Sequence, residues 1–316
     1  MNKTPFCIAV DWGTSRFRAY LVSQDGDILE QVSSHDGMAR VEAGAFAETL
    51  FQQCKPWLDA YDNIPVLMAG MVGSRNGWLE VPYARCPAGS QELALGTKKV
   101  ETPADFETFI VPGLETHDGQ YMDVMRGEET QIIGSGMTDG TVILPGTHSK
   151  WAQVENGQIL SFSSFMTGEV FGLFKNHSIL RLLAKSDATE VDPQKTDAAF
   201  VKGLDAAHLP GGLLNAAFMA RTGVLAGTLN GEDVDPFLSG LLVGTEILSA
   251  RPLMTSHQNL LVIADGILAH CYALALKHQG YIAEIISPET AFVTGLLTIF
   301  KAKRKPGHEH EKSGTV

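Results

Sequence analysis

"FCIAVDWGTSRFRAYLVSQDGDILEQ", residues 6–31, sets one aspartate and a small-residue turn between two strand-like runs. Phe6–Val10 is continuously apolar, as in a strand buried on both faces. Arg16–Val22 alternates and reads as its antiparallel partner. Gln24-Asp25-Gly26-Asp27 is a turn signal, and Ile28–Ser33 reads as a third strand. Two explanations fit the tip between the first two strands. It is a plain β-turn with an aspartate cap, or it holds a metal-bound phosphate. For the second, Asp11 supplies a hard oxygen suited to Mg²⁺, usually through water. Gly13 lets the backbone approach a ligand, Thr14 and Ser15 offer donors, and Arg16 or Arg18 adds positive charge.

The pattern restarts at "TVILPGTHSKWAQVENGQILSFSSFMTGE", residues 141–169. A strand, a Gly-Thr turn, a strand, an Asn156-Gly157 hairpin turn and another strand follow in the same order. The second tip carries Gly146, Thr147, Ser149 and Lys150, and successive backbone N–H groups in such turns cradle phosphate. A repeat of this kind speaks to architecture. It predicts two related mixed-sheet α/β domains with a cleft between them, one hairpin tip from each facing it. Between the repeats, "GAFAETLFQQCKPWLDAY" has helical spacing, "PVLMAGMVGSRNGW" is a strand running into a Gly-rich loop, and "FETFIVPGL" is a strand. "MDVMRGEETQIIGSGM" reads as one helix with acids early. After the second repeat the chain is mainly helical from about 170 to 250. It closes with strand–helix units at "NLLVIADG" and "YIAEIIS" and a last helix entered through Pro288.

The 316 residues suit two ordinary domains, and 44% hydrophobic with 19% charged residues is a globular composition. A net charge of −12 argues against nucleic-acid and anionic-membrane partners. An anionic substrate must then be held by a local cation or by backbone N–H groups. Cys7, Cys54, Cys86 and Cys271 have no metal-ligand spacing and read as reduced thiols. No stretch reads as a signal peptide or a membrane span, so a cytoplasmic protein is expected.

The paired Gly-Thr hairpins resemble those of the sugar kinase, actin and heat-shock-chaperone superfamily. Within it, "DWGTSRFRAYLV", "AGMVGSRNGWLEVPYARCPA", "DVMRGEETQIIG", "LPGTHSKWAQVENGQI", "SFMTGEVF" and "HSIL" together resemble the 2-dehydro-3-deoxygalactonokinase family. These strings cover most of residues 6–181, in order, and are specific as a set. The resemblance implies two ribonuclease-H-like mixed-sheet domains with an interdomain ATP cleft. It further implies ATP and Mg²⁺ as cofactors, and phosphorylation of a sugar acid at its 6-hydroxyl in galactonate catabolism. Residues 1–139, joined by the last helix at about 288–302, are expected to bind the sugar. Residues 140–287 are expected to bind nucleotide, and 303–316 to form a disordered tail.

The same resemblance assigns roles. Related kinases carry an acid after a glycine at a helix start, which makes Glu128 the candidate base. Glu129 stands beside it, and Asp11 and Glu169 are the carboxylates elsewhere. A 2-keto acid needs a cation for its carboxylate, and a guanidinium fork suits that task. Arg75 with Trp78 and Tyr83 are the candidates, with Arg126 the alternative. Thr167 and Glu169 join the substrate set, and Gly266 joins the nucleotide set. His148 and His177 read as hydrogen-bonding rather than catalytic groups. The partners expected are the sugar acid and ATP, with homodimerisation left open. The competing readings are a kinase of another sugar on this fold, and a non-catalytic sugar-sensing or filament-forming relative.

Overall fold

In the computed structural model, the structure describes residues 3–102, 106–119, 121–183, 193–254 and 259–304. The expected tail lies outside them from residue 305 onward. The chain divides into two units. One takes residues up to 136, 157–159 and those from 289 on; the other takes 137–156 and 160–288.

The first unit begins with β1 (Pro5–Trp12), β2 (Phe17–Ser23), β3 (Ile28–Ser34), α1 (Phe46–Ala60) and β4 (Val66–Ala69). It continues through β5 (Ala84–Arg85), α2 (Ser90–Gly96), β6 (Lys98–Val100), β7 (Thr108–Ile110), β8 (Leu114–Asp118), β9 (Tyr121–Met125) and α3 (Glu128–Gly134). Its main sheet has the order β3-β2-β1-β4-β7-β6, and β5-β8-β9 form a second, smaller sheet. β1 is antiparallel to β2 and parallel to β4, and β4 is parallel to β7. The core forms because Ile8, Val10 and Trp12 alternate onto one face of β1. Phe46, Leu50, Cys54, Trp57 and Leu58 recur at helical spacing along α1 and cover that face.

The second unit holds β10 (Gly140–Leu144), β11 (Ser149–Glu155), β12 (Gln158–Phe165), α4 (Thr167–His177), α5 (Pro193–Ala206) and α6 (Gly212–Leu225). α7 (Val234–Ala250), β13 (Leu260–Ile263), α8 (Gly266–His278) and β14 (Ala283–Ile286) complete it. Its sheet order is β12-β11-β10-β13-β14. β10 is antiparallel to β11 and parallel to β13, and β13 is parallel to β14. The first five strands of the other sheet have the same order and the same directions at these pairs. The repeat read from the sequence is therefore a repeat of topology, and the mixed-sheet α/β fold class stands. α7 is buried on nearly all sides, as its small and apolar composition requires.

The chain returns to the first unit with α9 (Pro288–Arg304), which includes Lys303 and Arg304. α9 crosses α3 with backbones in contact. A side chain at Gly295 would lie 1.8 Å from the Thr130 carbonyl oxygen, and one at Gly134 would lie 1.8 Å from that of Ala291. Among the described residues, no helix is long and apolar enough to cross a membrane.

One expectation is corrected. Residues 122–137 do not form a single helix. Tyr121–Met125 pairs with Leu114–Asp118 as a β-strand, and α3 starts only after Gly127, whose φ of 109° no helix accommodates.

Candidate active site

The first tip is braced from behind and open in front. Asp11 pairs across the hairpin with Arg18, and Trp12 with Phe17. The Trp12 side chain is fully buried. The Gly13 N–H donates to the Arg16 carbonyl at 3.0 Å, closing the turn. The Gly13 and Thr14 carbonyls accept from Met38 and Ala39 at 2.9 and 3.0 Å. The N–H groups of Thr14, Ser15 and Arg16, all exposed residues, take no partner among the described residues. Asp11 accepts from Arg18 Nη2 at 2.5 Å. Burial pushes its carboxyl up, and the Arg18 guanidinium partly offsets that.

The start of α3 lies against this tip within the same unit. A side chain on Gly70 would meet the Trp12 carbonyl oxygen at 2.8 Å and Asp11 Oδ1 at 3.5 Å, and one on Gly127 would meet Gly70 Cα at 3.4 Å. Glu128 is half-buried and accepts from the Arg126 N–H at 3.0 Å. Glu129 is sealed: its oxygens accept from the Gly127 N–H at 2.7 Å and the Thr130 hydroxyl at 2.9 Å. Burial, and then the charge of Glu128, push the Glu129 carboxyl up to about 8.

Of the four candidates for substrate recognition in this unit, the structure brings two together. The Arg126 guanidinium stacks on the Tyr83 ring at 4.3 Å, and its Nη2 donates to the Val81 carbonyl at 2.9 Å. Arg126 Nε and Nη1 are buried and have no hydrogen-bond partner among the described residues. Trp78 instead packs on Trp12 and Phe46 at the edge of the core, and Arg75 is exposed.

The second tip repeats the first in its own unit. The N–H groups of Gly146, Thr147 and His148 take no partner among the described residues, and Thr147 and His148 are exposed. The start of α4 braces it: the Glu169 N–H donates to the Thr147 carbonyl at 3.0 Å. Gly168 lies so close that a side chain there would reach the Gly146 carbonyl oxygen at 2.5 Å. His148 and Glu169 are paired at 2.6 Å. Ser149 and Lys150 are buried; Lys150 Nζ donates to the His148 carbonyl at 3.2 Å. His177 is exposed near the end of α4, and Gly266, with φ 52°, opens α8.

Sequence reasoning missed Glu246. This carboxylate on α7 is 3% exposed. It accepts from the Ser149 hydroxyl and the Trp151 indole, each at 2.7 Å, from the Tyr272 hydroxyl at 2.9 Å, and from the Thr167 hydroxyl. The signal available was a lone acid within the apolar run "GLLVGTEILSA".

A family model described as 2-keto-3-deoxy-galactonokinase matches residues 11–299. A 2-dehydro-3-deoxygalactonokinase of Escherichia coli K12 is 34% identical over 304 residues, covering 93% of this chain and 97% of that one. The crystal structure of a Sinorhizobium meliloti protein carrying a 2-dehydro-3-deoxygalactonokinase name aligns at a TM-score of 0.81 with 31% identity, over 94% of this chain and 99% of that one. The Clostridium difficile activator of 2-hydroxyisocaproyl-CoA dehydratase, solved with bound ADPNP, aligns at 0.52 with 12% identity over 94% and 96%. That last likeness is one of fold alone.

Proposed function

The chain belongs to the 2-keto-3-deoxy-galactonokinase family, a family of carbohydrate kinases, and from that premise we propose that it phosphorylates 2-dehydro-3-deoxy-D-galactonate at the 6-hydroxyl with ATP. The observation that carries the reading is the pair of braced tips, each with consecutive N–H groups that take no partner among the described residues. Phosphoryl transfer is mainly positioning and charge neutralisation, and such donors supply both.

Residues 140–287 would hold the nucleotide, with the N–H groups of Gly146, Thr147 and His148 on its phosphates and Gly266 at the opening of α8. Residues 1–139 with α9 would hold the sugar acid, and the tip at Gly13, Thr14 and Ser15 would receive the transferring phosphate. The buried, unpartnered edge of Arg126 makes it a better seat for the substrate carboxylate than exposed Arg75. Tyr83 keeps the guanidinium plane in place.

Glu128 is the proposed base, since it is the accessible member of its acidic pair. In the transfer, the 6-oxygen bonds to the γ-phosphorus, the bond to the β-bridging oxygen breaks, and the hydroxyl proton passes to the Glu128 carboxylate. ADP leaves. Among the described residues no three His, Cys, Asp or Glu side chains gather as a metal cage. Mg²⁺ needs none: it keeps several waters and binds through one or two carboxylates and substrate phosphates. Asp11, beside N–H groups that take no partner among the described residues and with one oxygen on Arg18, fits that mode through its other oxygen or through water. When bound, the ion neutralises charge on the phosphates. The reaction is assigned to the cytoplasm, where ATP and the sugar acid would meet.

The test is product analysis. Purified protein with ATP, Mg²⁺ and the galactonate-derived acid should yield ADP and one acid phosphorylated at oxygen 6, resolved by ³¹P magnetic resonance. The gluconate-derived epimer is run beside it. No phosphorylated acid from either would overturn the reading.

A further inference from the structure

A carboxylate buried without a cation is costly unless its acceptor sites are filled. Glu246 meets that condition with donors from three elements: Ser149 and Trp151 on β11, Thr167 at the start of α4, and Tyr272 on α8. A packing role alone does not explain why these donors converge on one residue. Their places in the chain do. Ser149 directly follows the outward N–H groups of the second tip. Thr167 directly precedes Gly168, which lies against the Gly146 carbonyl.

The tip has few backbone contacts of its own. Its N–H groups take no partner among the described residues, and a side chain at Gly146 would meet nothing within 4 Å. The first tip, in the other unit, is braced by backbone donors from Met38 and Ala39. The second has one backbone donor, the Glu169 N–H on its Thr147 carbonyl, with Lys150 Nζ on its His148 carbonyl and the His148 ring paired with Glu169; further support reaches it through Ser149 and Thr167. Both lead to Glu246.

We propose that Glu246 is the positioning residue of the second hairpin tip, the buried acceptor that holds Gly146–His148 in the conformation that receives nucleotide phosphates. This rests on the kinase reading above. Ser149, expected from sequence as a phosphate ligand, then acts through its hydroxyl on Glu246 and not on the nucleotide.

The test is calorimetric titration of the full chain with ATP and Mg²⁺, and separately with the sugar acid, alongside a melting curve. Glu246→Leu should weaken ATP binding about tenfold or more, with sugar-acid affinity within about twofold, because it leaves several buried donors unpaired. Glu246→Gln keeps an acceptor oxygen for Ser149 and Trp151 and should recover ATP affinity to within about threefold. A folded Glu246→Leu variant that binds ATP like wild type, or loses both ligands equally, overturns the proposal. Should that variant not fold, Ser149→Ala and Tyr272→Phe each remove one donor. A loss of about threefold for ATP alone supports the proposal, and no loss overturns it. Wild type that fails to bind ATP overturns the nucleotide assignment and this inference with it. Wild type that binds, with unaffected variants, overturns this inference only.

Discussion

Glu128 and Glu129 are adjacent acids with opposite environments, and each yields a prediction. Glu128→Gln keeps the size of the half-buried side chain but cannot take a proton. It should lower kcat by about 10²–10⁴-fold, with KM for both substrates changed only a few-fold, in steady-state assays. Glu129 is held at about 8 in the folded state, against an ordinary 4.5. The native state therefore keeps a proton that the unfolded chain releases between those values. Its contribution to stability is fully present below about 4.5 and is lost as pH rises through about 8. Wild type should lose on the order of 1 kcal/mol per pH unit across this window relative to Glu129→Gln. Urea unfolding at pH 5, 6, 7 and 8 checks it, and parallel curves for the two proteins would contradict it. Arg126→Lys removes the planar fork but keeps the charge. It should raise KM for the sugar acid about tenfold or more and leave KM for ATP unchanged.

The elements show how much was legible beforehand. The first hairpin's strands, β1 and β2, were legible to within two residues, and the strand–turn–strand order of β10 and β11 was legible too, because all four have apolar runs ended by Gly-containing turns. The direction of Ser149 was not legible. β11 is buried on both faces through Val154, so its alternation marks no solvent side, and the acceptor that turns the hydroxyl inward is 97 residues away. Glu246 was missed for the same reason: its partners converge only in the fold. The strand at Tyr121–Met125 was read as helix because its pairing partner, β8, has no strong periodicity of its own. Aromatics in a Gly-rich loop suit a sugar pocket, and Trp78 is partly buried there while packing on the cluster around Trp12, a contact its spacing did not reveal. At this scale the α3–α9 crossing carries a prediction. Gly295→Ala places a methyl group 1.8 Å from the Thr130 carbonyl, which forces the helix bearing Glu128 to shift. Overpacking of this kind costs about 1–3 kcal/mol. The melting temperature should fall by several degrees and kcat with it; an unchanged melting temperature would show that the helices separate freely.

For the whole molecule, the sequence repeat corresponds to two sheets that share the order of five strands, each with a Gly-Thr tip whose N–H groups take no partner among the described residues. A pure binding protein would have use for the tips, but not for an accessible carboxylate beside one of them at the start of α3. These features suit a carbohydrate kinase, and the proposed transfer depends on Glu128. The most direct measurement is ATP-dependent phosphorylation of 2-dehydro-3-deoxy-D-galactonate by wild type and by Glu128→Gln side by side, at saturating substrates. Robust transfer by wild type with a loss of about 10²-fold or more in the variant is the predicted result. No transfer by wild type, or equal transfer by both proteins, would contradict it.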